Sequence, residues 1–212
     1  MIPIRSARAV PRWLATAVLA LAALAWGAPL AAETADPKQV VERIDSTLIE
    51  IMQNADELGY AGRYATLEPI LDHSFDYAFM ARVSAGKYWR DLDEAQRAEL
   101  IDAFARLSTA TFAARFNGYG GEIFEVVGEE ERPRNTKLVL NNLTTGDGEV
   151  IPINFLLAKR SDDWRVIDVF LDAKFSELAV KRSEFTAVIS NEGFDQLIAS
   201  IEDRIKGLAS GS

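Results

Sequence analysis

The chain is predicted to be α+β on three observations. Apolar residues recur at three- and four-residue steps from Asp36 to about Asn117, the period changes to two between Glu122 and Leu171, and helical spacing returns from Ser176 to the end. A change of period marks a change of element type, because side chains repeat every 3.6 residues on a helix and every 2 on a strand. Helices, then a four-stranded antiparallel meander, then helices are expected to pack as one α+β domain over 33–212.

The helices come first. Asp36-Pro37 pairs a capping residue with proline at the first helical position. Val40, Ile44, Leu48, Ile51, Ala55 and Leu58 then form one stripe ending at Gly59. A second helix is expected over 61–71, and a third carrying Phe75, Phe79 and Val83 stops before Gly86. Asp91 or Asp93 caps a fourth, whose stripe is Leu100, Phe104, Leu107, Phe112 and Phe116. Core packing is the plain account of these aromatics, although such a stripe can also line a cavity.

Strands are expected at 122–128, 135–143, 149–159 and 163–171, joined by a charged loop with Pro133, by Thr145-Gly146-Asp147-Gly148 and by Ser161-Asp162-Asp163. Ile151, Ile153, Phe155 and Leu157 share a face of the third strand. In the fourth, Ile167, Val169 and Leu171 share one face, with Trp164, Val166 and Phe170 on the other. Both sides of the sheet therefore carry apolar residues. Pro152 suggests an edge position or a bulge in the third strand. Helices over 176–189 and 194–206 close the chain.

Residues 1–32 read as a signal peptide rather than fold. Arg5, Arg8 and Arg12 precede a thirteen-residue apolar run, Leu14 to Trp26, followed by small residues up to Ala32. That run is shorter than the ~20 residues of a spanning helix and suits a secretory h-region; an uncleaved anchor is the alternative. The expected location is the periplasm.

The whole chain has 23 basic and 32 acidic residues, a formal net charge of −9. Loss of the three leader arginines leaves 20 basic against 32 acidic, a net of −12. This acidity argues against nucleic acid, whose phosphates require a basic footprint, and against adhesion to anionic membranes. There are no cysteines and one histidine, which removes thiol chemistry, thiolate metal sites and most serine-histidine machinery. Asp168 and Asp172 stand about 13 Å apart along a strand, wider than the ~5–9.5 Å of paired-carboxylate glycosidases. Asp72, His73 and Asp76 lack a second histidine for a metal site. No catalytic or metal-binding residue is assigned, and no cofactor is implied.

A broader likeness joins these pieces. Phe75-Asp76, Ala85-Gly86-Lys87-Tyr88-Trp89-Arg90, Gln96, Phe104, Leu107, Thr111-Phe112 and Tyr119 resemble the toluene-tolerance (MlaC) family of periplasmic lipid carriers. So do Ile151-Pro152-Ile153-Asn154-Phe155, Trp164 to Val169, Arg182-Ser183-Glu184-Phe185 and Gly193-Phe194-Asp195-Gln196-Leu197-Ile198. The likeness spans about Pro37 to Lys206.

The resemblance implies a deep apolar pocket for acyl tails, with the head group at its mouth. It implies a non-enzymatic, monomeric shuttle carrying phospholipid as cargo between an outer-membrane lipoprotein–porin complex and an inner-membrane ABC transporter with an MCE protein. On that reading Val83, Tyr88, Phe104, Leu107, Phe112, Ile153, Phe155, Val169 and Leu171 are expected to line the pocket, with Lys174, Lys181 and Arg182 at its rim. Where the family pattern has a Gly-Val-Ser turn and Tyr-Arg-Ser, this chain has Ala173 to Ala179 and Lys181-Arg182-Ser183. That departure is similar to the hopanoid-associated HpnM branch and leaves phospholipid or hopanoid lipid open as cargo. Two rivals remain: an enzyme on a cone-shaped α+β scaffold using Asp168 or His73, and a protein-binding adaptor.

Overall fold

A computed structural model describes residues 36–161 and 163–211. The expected signal segment, 1–32, lies outside the described residues. The architecture is α+β, with the elements in the order the periodicity predicts.

Helix α1 (Pro37–Gln53) is capped by Asp36, whose side chain accepts from Lys38 N. It stops at Asn54 rather than Gly59. Helix α2 (Ala55–Ser74) contains Gly59 at φ 58°, so the helical path breaks there although the element continues. Glycine tolerates this left-handed backbone with no Cβ penalty. Helix α3 (Tyr77–Ala85) is capped by Asp76, and a 3-10 segment, Gly86–Arg90, follows. Helix α4 (Glu94–Arg115) begins at Asp93, which forms a capping box with Gln96.

The sheet has five strands rather than the four expected: β1 (Ile123–Arg132), β2 (Thr136–Thr144), β3 (Val150–Arg160), β4 (Asp163–Leu171) and β5 (Phe175–Ser176), antiparallel and in sequence order. Two residues are too few to leave a periodic signature, so β5 was legible only as the start of the next helix. Helices α5 (Glu177–Glu192) and α6 (Phe194–Ser210) close the chain.

Two expectations about the sheet are corrected. Strand β3 is central, flanked by β2 and β4, not an edge. Pro152 is tolerated because pairing with β4 begins only at Ile153, so its missing N–H removes no bond on that side. Second, the β3–β4 register shifts where Leu156 pairs with Asp168 but Leu157 pairs with Val166. Ile167 is the extra residue of a β-bulge, which reverses the alternation. Val166, not Ile167, therefore shares the face of Val169 and Leu171.

The core lies on that face. Ile44, Leu48 and Ile51 of α1, Leu67 and Leu71 of α2, and Leu100 of α4 meet Val139, Phe155, Leu157 and Val166, all essentially inaccessible. Seven aromatic rings run through it in sequence of contact, Phe124–Phe116–Phe112–Phe75–Tyr77–Phe104–Phe185, with centroids 5.5–6.2 Å apart. Such pairs add roughly 0.5–1.5 kcal/mol each beyond area burial.

Candidate functional site

Each face of the sheet bears a cavity. The smaller, about 110 Å³, lies among α4, α5 and the core-side face of β3 and β4. Phe104, Leu107, Phe112, Ile153, Val169, Leu171 and Lys181 line it, together with Phe75, Met80, Phe116 and Leu178. Seven of the residues singled out in the sequence thus come together, because the α4 stripe packs directly on the β3–β4 face. Lys181 is engaged with Glu184 at 2.8 Å.

The larger cavity, about 890 Å³, is an open trough on the opposite face. Its floor follows from the strand register. Leu138 stands opposite Leu156 and Leu156 opposite Asp168; Asn154 stands opposite Phe170. Residues two apart on β3 carry this face from Asn154 through Leu156 and Ala158 to Arg160, about 20 Å along the strand. Phe79 and Val83 of α3 and Leu178 of α5 form a wall, while Ile167, displaced here by the bulge, fills out the floor. Leu178 lines both cavities.

Of the other expected residues, Val83 lines the trough. Phe155 is core and borders neither cavity. Tyr88 and Arg182 lie in a separate open groove with Lys87, Thr186 and Ser190, where Lys87 Nζ sits 4.9 Å from the Tyr88 ring. Lys174 is exposed, 3.8 Å from Asp172, beside Ala173 at the trough edge. The trough floor of Leu138, Leu156, Ile167 and Phe170 was missed as a site. Its signal was the apolar character of both sheet faces, but the bulge that assigns Ile167 leaves no local mark in the sequence.

Asp168 illustrates why a carboxylate in a cavity wall is not thereby a base. Its carboxylate accepts from Val169 N at 2.8 Å, Leu178 N at 3.0 Å and Ser176 Oγ at 2.6 Å. Burial raises its pKa, and these three donors oppose the rise. The group is committed to three donors and anchors the first turn of α5. Asp172 lies beyond the strand in a left-handed turn, φ 51°. Exposed His73 has no side-chain partner among the described residues, and Asp76 caps Phe79 N and pairs with Arg160 at 2.6 Å. Among the described residues no group of three His, Asp or Glu side chains converges as a metal site, and no helix is long and apolar enough to cross a membrane.

Among solved structures, the chain is similar to a phospholipid-binding protein from Ralstonia solanacearum determined in complex with a phospholipid. The TM-score is 0.72 at 17% identity, with 82% of this chain and 99% of that one covered. At that identity the likeness bears on the fold. No curated protein matches the chain. Residues 42–203, well over half of the sequence, match the MlaC protein family, and the chain belongs to that family.

Proposed function

We propose that this protein is a periplasmic lipid carrier whose trough on the outer sheet face houses the acyl tails. It is not an enzyme: MlaC-family membership sets that reading aside, and Asp168, its best candidate base, is occupied in holding α5. The observation that carries the proposal is the trough itself, about 890 Å³ and apolar along most of its lining. Small-molecule sites span roughly 300–1,000 Å³, and two acyl tails need the upper end of that range. The 110 Å³ cavity on the core-side face is too small by itself.

The energetics require such a volume. At about 0.8 kcal/mol per methylene, exposing some thirty tail methylenes to water costs on the order of 25 kcal/mol. An aqueous carrier must cover nearly all of them. The family reading and the leader-like residues 1–32 support export, and transfer between an outer-membrane lipoprotein–porin complex and an inner-membrane MCE/ABC transporter is the process this carrier would serve. Phospholipid is the cargo class that the bound ligand of the Ralstonia neighbour suggests; the Ala173 to Ala179 departure keeps a hopanoid-type lipid as the second reading.

Native mass spectrometry of protein exported in membrane-containing cells tests the carrier. Lipid-mass adducts are expected, and a clean apo mass with no extractable lipid overturns it. Leu156→Asp and Leu171→Asp place equal charges on half-buried positions of opposite faces. Leu156→Asp is expected to abolish loading in a folded protein; loss only in Leu171→Asp would move the tails to the smaller cavity.

A further inference from the structure

We propose that the trough selects a lipid with an anionic, phosphate-bearing head group, bound at an arginine cluster at one end; this rests on the carrier reading of the same cavity. The register places that end. Arg132 stands opposite Thr136, and Thr136 opposite Ala158, so all three side chains share the trough face, and Arg160 lies two residues beyond Ala158. Arg134 follows in the β1–β2 turn. All three arginines line the trough and are exposed. From the wall, the Phe79 ring carries two guanidinium groups, Arg160 at 5.3 Å and Arg82 at 5.5 Å from its centroid. Three arginines thus line the trough where its apolar floor ends, and Arg82 is joined to Arg160 through the Phe79 ring they share.

Their acidic partners do not cancel them. Asp76 pairs with Arg160 at 2.6 Å and Glu130 with Arg132 at 2.5 Å. Arg82 and Arg134 have no ion pair among the described residues, so the cluster keeps two uncommitted cations in a chain whose formal net charge is −9. Arg134 is moreover held at φ 64°, a conformation non-glycine residues rarely adopt. The carboxylate that lines the trough, Asp168, is buried about four strand residues away and already accepts from three donors.

A guanidinium presents a planar fork that matches two phosphate oxygens. A phosphodiester seated here with its tails along Ala158, Leu156 and Asn154 would complete the pairing of Arg134, the one trough arginine with no ion pair among the described residues. A zwitterionic head group brings its own cation to the same place, and a neutral polycyclic lipid brings no charge. Because the cluster faces water, the preference is modest and salt-sensitive: roughly three- to fivefold for exposed pairs, fading within a Debye length of a few ångströms in concentrated salt.

The experiment loads the mature chain, at low salt, from vesicles containing equal amounts of phosphatidylglycerol and phosphatidylcholine with the same acyl chains, then quantifies the lipid extracted from re-isolated protein. Phosphatidylglycerol is expected to be enriched roughly three- to fivefold. Enrichment should fall toward parity in Arg134→Gln and in concentrated salt, and persist in the charge-matched control Lys206→Gln on exposed α6. If Arg134→Gln does not fold, Arg132→Gln, also in the trough lining, serves the same comparison. Loading without head-group preference overturns this inference and leaves the carrier standing; no loading overturns both. Tail-free glycerol 3-phosphate should compete poorly. Equal competition by it would assign the cluster to a free phosphate and overturn the lipid assignment.

Discussion

The two faces of one sheet have opposite fates. On the inner face, Val139, Phe155, Leu157 and Val166 are sealed beneath α1, α2 and α4. On the outer face, Leu138, Leu156 and Phe170 are equally apolar but only half-buried, under a partial wall from α3 and α5. Composition does not separate the two faces; the number of helices available to cover each does. A carrier needs this asymmetry, because a face that is fully packed has no volume to offer and a face with no wall cannot exclude water from a tail.

Phe155→Ala is the most damaging break on the inner face. It removes a fully buried ring from the middle of β3 and should destabilise by about 3–5 kcal/mol, read as a shift in the urea midpoint. If Phe155 instead served the cavity, stability would hold and lipid loading would fall.

Asp45 puts a titratable group beneath the same face. It is buried on α1 and accepts from Asn141 Nδ2 at 3.1 Å, while Asn141 Oδ1 has no partner. Burial raises its pKa from 3.8 to about 7, against the opposing Asn141 hydrogen bond. Protonated, Asp45 would supply the donor that Asn141 Oδ1 lacks. Because the folded-state pKa is the higher, this contribution is complete below the unfolded value of 3.8 and is lost as pH rises through about 7. Roughly 3 kcal/mol should disappear between about pH 5 and 8. Asp45→Asn should flatten that portion of the stability–pH profile; an unchanged slope would assign the dependence to other groups.

On the outer side, Asp168→Ala strips the Leu178 N–H and Ser176 Oγ of their acceptor, at a cost of about 1–3 kcal/mol. It should also loosen the start of α5, so hydrogen exchange is expected to rise in its first turn while the centre of α1 stays protected. The smallest effect falls at the trough edge. Ala173 adopts φ 54°, and Ala173→Gly should raise stability by about 1 kcal/mol, seen as a higher thermal midpoint. A lower midpoint would mean that Ala173 gains more from packing than its backbone loses.

Of the trough lining only Val83 was legible; most of the expected residues gather at the smaller cavity. The α4 stripe of Phe104, Leu107 and Phe112 and the β3–β4 pair of Ile153 and Val169 meet as periodicity implied, since helical and strand spacing fix which residues share a face. Val83 faced a cavity for the same reason, though it is the other cavity. Phe155 shows the limit: alternation puts it on the right face but cannot distinguish a cavity wall from a filled core. Tyr88 and Arg182 show another, since nothing local reveals that the 3-10 segment and α5 meet in a separate groove.

By itself the sequence determined the element order, the cap at Asp36, a cap for α4 at Asp91 or Asp93, the meander and the two-sided apolar character of its strands, because these depend on neighbours within a few positions. Tertiary structure alone decided which face was sealed, where the bulge at Ile167 reversed the alternation, and how Arg132, Arg134 and Arg160 came to one place with Arg82 joined through the Phe79 ring. Those outcomes depend on register and helix placement between residues up to 78 positions apart, and no local pattern encodes that distance.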